Sequence, residues 1–342
     1  VGSEMCIRDR NNANVGGIVL LAVKSGAGSA YKNMCAERFE EEARKTGKPL
    51  RIVYLTNVGG SYNMLGETLR LTREVLLEVS DFRRENCPLS ALTLGVKCGT
   101  SDATSGIAGN PCVGAAFDQL IRAGGTAFFS ETTEIIGAED LVAKRAVNES
   151  VAKKILSAAR HWEDKAKATG EDIRKINPIP ANIAAGISSL EEKSLGAIAK
   201  SGTSPIQDVL KYAEMPKGSG LYFVDSWMSS LSLPLCLTAC GATIMLYQMG
   251  GGKIAQHPMM PSINPTVVSP FLYLTGNAVA YSRAPDNFDF DASSIMTEGA
   301  SIPEMGTKLL EHLSAIASGT MTKMETLNYA EQLELYMEGP VL

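Results

Sequence analysis

The stretch KCGTSDATSGIAGNP, residues 97–111, sets a lysine, a thiol, a carboxylate and an amide among hydroxyls and glycines. Lys97, Cys98 and Asp102 are the groups there that can do chemistry. A cation, a thiol and an acid so close in sequence can bind a carboxylate, ligate a metal ion or move protons. Ser101, Ser105 and Asn110 add hydroxyl and amide groups that can orient a polar substrate. In a purely structural loop, Asp102 would instead cap a turn and Cys98 would pack as a small apolar residue. A second set of acids follows in SETTE, where Glu131 and Glu134 can hold a hard cation or divide into an acid and a base. The alternative for these two is to favour the dipole at a helix start.

Other candidates are sparser. The three histidines, His161, His257 and His312, show no metal-ligand spacing such as HxxxH. His257 follows GGGKIAQ and is a candidate proton shuttle or ligand. His161 and His312 sit among charged helical neighbours and read as surface residues. Gly26 and Gly28, and separately Gly250 to Gly252, could offer backbone N–H groups to an anion. With no GK[ST] and no complete GxGxxG, a nucleotide site is not supported.

These residues need elements to position them. GIVLLAV (17–23), LRIVYLT (50–56), ALTLGV (91–96) and TAFFSE (126–131) are short apolar runs of the kind a strand buried on both faces requires. Helical spacing separates them, over 29–47, about 64–79, after the 97–111 loop up to Gly124, and over 138–169. Further strands fall at 220–226 and 243–249, and a last helix at about 303–317. Ser189 and Glu192 have the spacing of a capping box. The alternation predicts an α/β fold: doubly wound, mainly parallel sheets with flanking helices, in two α/β lobes. In such sheets ligands lie beyond the carboxyl ends of the strands, which is where the 97–111 and SETTE loops would be.

Composition narrows the class. The chain has 342 residues, 45% hydrophobic and 20% charged, with a formal net charge of -5 and no long basic run. That argues against nucleic acid as a main partner. Seven scattered cysteines without a CxxC pair suit a reducing, cytoplasmic setting. The most apolar stretch, 231–247, is interrupted by Pro234 and Gly241 and reads as buried core, not a membrane span. Cys236 and Cys240, four apart on it, read as core too. VGSEMCIRDR lacks the pattern of a signal peptide. Residues 1–16 are read as a non-native leader and truncated start, 17–170 as one α/β domain and 171–342 as a second, with native sequence expected upstream.

Taken in order, the motifs resemble the galactarate/altronate dehydratase family, which includes the large subunit of sulfolactate sulfo-lyase. The family pattern KCGGSD..SGI.ANP is similar to Lys97–Pro111. Its GGT...SE..E..GAE is similar to Gly124–Glu139, and its GN..GGL(T/S)T.EEKSLG to ANIAAGISSLEEKSLG (181–196). Further matches run from Gly220 to Asp225, from Cys240 to Gly252 and from Ala317 to Glu325. Thr100 stands where the family has glycine, and Ser226-Trp227-Met228 replaces its small residue and proline.

The resemblance implies a lyase that removes water from a sugar acid such as altronate or galactarate, giving a 2-keto-3-deoxy acid, with a divalent metal, Fe2+, assisting. The alternatives are release of sulfite from sulfolactate and a non-catalytic paralogue that binds small acids. By motif position, Lys97, Asp102, Glu131 and Glu134 are the catalytic candidates. Ser101, Ser105, Asn110, Asn182, Lys193, Asp225 and Gly251 are the substrate-binding candidates, and Cys98, Glu131 and His257 the metal ligands. Expected partners are a small anionic hydroxy acid, a small partner subunit or upstream domain and further copies of the chain, with no nucleic acid and no membrane.

Overall fold

A computed structural model of the chain describes residues 12–22, 36–251, 264–266, 268–328 and 334. The chain divides into two compact units between Asn86 and Cys87, and both are α/β. In the first unit, strands β1 (Ile18–Ala22) and β2 (Leu50–Tyr54) pair in parallel. Helix α1 (Ala36–Thr46) lies between them in sequence, and α2 (Ser61–Ser80) follows. Leu71 and Val75 are the buried residues of α2. A Cβ on Gly17 would lie 2.5 Å from Val75 Cγ1, so the chain entering β1 comes this close to the helix only as glycine.

The second unit is built on one seven-stranded parallel sheet in the order β5-β6-β4-β3-β7-β8-β9. Its strands are β3 (Thr93–Gly99), β4 (Thr126–Ser130), β5 (Ile206–Leu210), β6 (Gly220–Val224), β7 (Ile244–Met249), β8 (Phe271–Thr275) and β9 (Phe290–Asp291). The boundary expected at 170/171 therefore does not divide this unit. Two strands precede it and five follow it within a single sheet, and a parallel sheet needs both faces covered as one body.

Side chains alternate across that sheet as strand geometry requires. Leu94 and Val96 of β3 face one way with Phe129, Phe223 and Leu246. Helices α3 (Asn110–Arg122), α4 (Glu149–Ala168) and α7 (Ile302–Ala317) cover this face through Phe117, Ile155 and Leu309. Phe128, Tyr222, Tyr247 and Tyr273 face the other way, against α6 (Ser232–Ala239). Every residue of α6 is buried, as its apolar sequence predicts. Pro234 is tolerated because it falls in the first turn, where its missing N–H has no intrahelical partner.

Four local expectations change. β3 does not stop at Val96 but continues through Gly99, because the β7 ladder goes on pairing Lys97 with Tyr247 and Cys98 with Gln248. The helical region 138–169 is broken into Glu139–Ala143 and α4, whose N-cap Asn148 accepts from Val151 N. Ser189 caps α5 (Leu190–Ile198) by accepting from Glu192 N at 3.2 Å, yet the box stays open. The Glu192 carboxylate accepts from Ser188 N instead. His161 is exposed as expected, whereas His312 is half-buried, with its ring against Phe290. Among the described residues no helix is long and apolar enough to cross a membrane.

Candidate active site

The chain order reverses at β3: the connection to β4 leaves on one side, and β7 arrives on the other. Such a switch opens a crevice beyond the carboxyl ends of the strands. Lys97 and Cys98 lie there as consecutive strand residues, so they point to opposite faces. Lys97 shares the face of Tyr247, with its Nζ 5.8 Å from the ring centroid. Cys98 shares the face of Leu94, Val96 and the α3 side.

Each meets its own acid. Lys97 Nζ donates to Glu131 Oε2 at 2.6 Å and to the Cys98 carbonyl at 2.7 Å. Cys98 Sγ lies 3.0 Å and 3.2 Å from the two Glu134 oxygens. Lys200, on the turn Ala199–Ser201 that follows α5, brings its Nζ to 3.2 Å from Cys98 Sγ and also donates to Glu134 Oε2. All five side chains are buried. Two cations face two anions across the strand ends.

Glu131 carries its side chain on a backbone in the left-handed region, φ 76° and ψ 77°. A non-glycine residue there costs on the order of 1–3 kcal/mol unless its surroundings enforce it. Hydrogen bonds to the end of β6 supply that enforcement. Ser130 Oγ donates to the Val224 carbonyl at 2.7 Å, and Thr132 N to the Ser226 carbonyl at 2.9 Å. Thr132 Oγ1 donates at 2.7 Å to Asp225 Oδ1, which also accepts from Trp162 Nε1 at 2.9 Å. Asp225 therefore anchors the loop that presents Glu131.

The electrostatics separate the two acids. Burial raises the Glu131 carboxyl above the usual range and the charge of Glu134 raises it further; Lys97 offsets only part of this. Burial also works against Glu134, but Lys200, Lys97 and Lys193 outweigh it and bring it down to about 2. Burial opposes the charge on both lysines. For Lys97 the Glu131 carboxylate, and for Lys200 the neighbouring Cys98 and Glu134, leave the ammonium well above its ordinary range. Burial and then Glu134 push the Cys98 thiol up to about 12. The result is a fixed anion at Glu134 and a more basic carboxylate at Glu131.

Asp102 is held as a clasp. Its Oδ1 accepts from Ser105 N at 3.0 Å and Thr104 Oγ1 at 2.6 Å. Its Oδ2 accepts from Gly251 N at 2.6 Å and Asn277 Nδ2 at 2.9 Å. Loops after three adjacent strands, β3, β7 and β8, are thus tied to one carboxylate. The Gly251 backbone and Ser105 meet the site through it. Beside it opens a cleft of about 300 Å³ lined by Asp102, Ser105, Asn110, Lys193 and others. Asn110 donates to the Gly196 carbonyl at 2.8 Å, and its buried Oδ1 has no partner among the described residues. Asn182 donates to the Ser101 carbonyl at 2.9 Å and accepts from Lys193 Nζ at 3.2 Å. A second bond, to Asn177 Oδ1 at 2.7 Å, also orients Lys193.

The chain enters α3 through a π-helical turn, Ser105–Gly109, a form concentrated at functional sites. Glycine lets it pack closely: a Cβ on Gly106 would lie 3.0 Å from Gly196 Cα, tighter than an ordinary van der Waals contact. This approach brings α5, and with it Lys200, up to the strand ends.

The sequence candidates thus fall into three groups. Lys97, Cys98, Glu131 and Glu134 converge. Asp102, Ser105, Gly251 and Asp225 tie loops together. Asn110 and Lys193 line the cleft, and Asn182 bonds Lys193 and the Ser101 carbonyl. His257, Gly26, Gly28 and Gly252 lie outside the described residues. Sequence reading missed Lys200, Tyr247, Gln248 and Asn277. Lys200 had a signal, a lone lysine in the small-residue run LGAIAKSG. Gln248 had one too, as an amide inside the apolar strand IMLYQM, and its buried Oε1 has no partner among the described residues.

Cys98 and Glu131 do not fit a metal in this arrangement, since an ammonium already contacts each. Among the described residues no cluster of three or more His, Cys, Asp or Glu side chains could hold a metal ion.

Residues 89–340 match the family D-galactarate/Altronate dehydratase, C-terminal. The (2R)-sulfolactate sulfo-lyase subunit beta of Chromohalobacter salexigens is 31% identical over 324 residues, 94% of this chain and 78% of that protein. Galactarate dehydratase (L-threo-forming) of Escherichia coli is 34% identical over 283 residues, 82% of this chain and 52% of that one. Altronate dehydratase of Bacillus subtilis is 33% identical over 272 residues, 80% and 52% of the two chains. The chain thus spans about half the length of these two dehydratases. The fold and site define an α/β protein with paired acids and lysines at the switch point of a parallel sheet. The chain belongs to the galactarate/altronate dehydratase family.

Proposed function

We propose that residues 87–334 carry the lyase site and that the reaction is dehydration of a sugar acid such as altronate or galactarate. The observation that supports this is the Lys97–Glu131 pair, buried at the sheet switch point beside a second acid that stays ionised. A C–H next to a carboxylate is a weak acid, and its removal leaves negative charge on the carboxylate. Glu131, made more basic by its surroundings, takes that proton. The Lys97 ammonium neutralises the charge that develops. The β-hydroxyl leaves with a proton as water, and the resulting enol tautomerises to a 2-keto-3-deoxy acid. Lys193, at the cleft, binds the substrate's carboxylate.

A second reading has its own support. The match to the sulfolactate sulfo-lyase subunit beta covers 78% of that protein, against 52% of galactarate dehydratase. The same proton abstraction with sulfite as leaving group would give pyruvate, and the chain would then work with a partner subunit. Incubation with galactarate, altronate and sulfolactate, with and without Fe2+, separates the readings. Keto acid from a sugar acid supports the first, and pyruvate with sulfite the second. Substrate binding without any product would leave a non-catalytic acid-binding protein.

A further inference from the structure

Cys98 and Glu134 form the pair of ligands that a soft or borderline metal ion would favour, on a strand end inside the candidate site. The space between them holds something else. Lys200 Nζ lies 3.2 Å from Cys98 Sγ and also hydrogen-bonds Glu134. A zinc-like ion bound by both would sit about 2.3 Å from the sulfur and about 2.0–2.2 Å from the carboxylate oxygen. That volume overlaps the ammonium. The charges lead to the same conclusion: Lys97 and Lys200 already balance Glu131 and Glu134, and a divalent ion would add an uncompensated buried charge.

We propose that Lys200 is the resident cation of this half of the site. It is a positioning residue that holds Glu134 against Cys98 on the α3 face, while Lys97 holds Glu131 on the opposite face. Cys98 is then not a metal ligand in the native protein, and any divalent ion the reaction uses is held elsewhere. The link to catalysis rests on the lyase reading above, but the test does not, because it reads metal binding and not turnover.

The test is a Co2+ titration of the whole chain, followed by thiolate-to-cobalt charge-transfer absorption and by metal analysis. The expected result is no absorption in the native protein that Cys98→Ser removes. Lys200→Ala opens the space, so a Cys98-dependent band appears and bound cobalt rises by one equivalent. Both are lost again in Lys200→Ala/Cys98→Ser. A native band abolished by Cys98→Ser overturns the proposal, as does a folded Lys200→Ala protein that gains no such band. If Lys200→Ala does not fold, the native and Cys98→Ser pair decides by itself, since neither protein alters Lys200.

Discussion

Lys97 and Glu131 meet at 2.6 Å from the ends of two adjacent parallel strands, both side chains only 3% exposed. A pair this deeply buried does not exist to stabilise a surface. Removing one partner leaves the other charge unpaired, at a cost of about 3–5 kcal/mol. Lys97→Met is therefore expected to lower stability by about that amount and Lys97→Met/Glu131→Gln to recover most of it. Neither variant should regain turnover, with losses of roughly 100-fold or more. Denaturant melts alongside product assays check both parts.

Glu134 sets the working range of Glu131. Its negative charge raises the Glu131 carboxyl, so Glu134→Gln should let that carboxyl fall. The acid limb of the rate against pH then moves to lower pH. A limb that stays in place, or moves up, would remove Glu131 as the base.

The Glu134 carboxylate also links stability to acid. Its folded value of about 2 lies below the ordinary 4.5. The stability it contributes is fully present above pH 4.5 and is lost as pH falls towards 2. Denaturant midpoints measured down this range should drop in the native protein and drop less steeply in Glu134→Gln.

Asp102 ties loops together, so its loss should resemble the loss of a clasp. Asp102→Asn turns an amide donor towards the Gly251 N–H and the Asn277 amide, leaving buried donors without an acceptor. Each unpaired group costs about 1–3 kcal/mol. The expected result is a lower melting temperature and a raised KM, with kcat falling much less than in Lys97→Met. An equal collapse of kcat in a protein that melts normally would mean that Asp102 moves protons itself.

Much of this was legible in the sequence for simple reasons. Short apolar runs alternating with helical spacing specify buried parallel strands, and polar loops after such strands mark the ligand side. Lys97, Cys98, Glu131 and Glu134 were visible because charged and thiol groups at strand ends are conspicuous against an apolar background. The cap at Ser189 was visible because capping depends on residues only a few positions apart.

Tertiary structure decided the rest, because the contacts involved are distant in sequence. Extension of β3 to Gly99 depends on β7, and that extension sends Lys97 and Cys98 to opposite faces. Lys200 reaches Cys98 because its turn packs on α3 at Gly114, where a Cβ would lie 2.2 Å from the Ala199 carbonyl oxygen. Asp102 became a clasp once the loops after β7 and β8 supplied its donors. The chain by itself named the chemical groups; the order of strands in the sheet assigned each lysine its acid, since pairing follows position in space and not distance along the sequence.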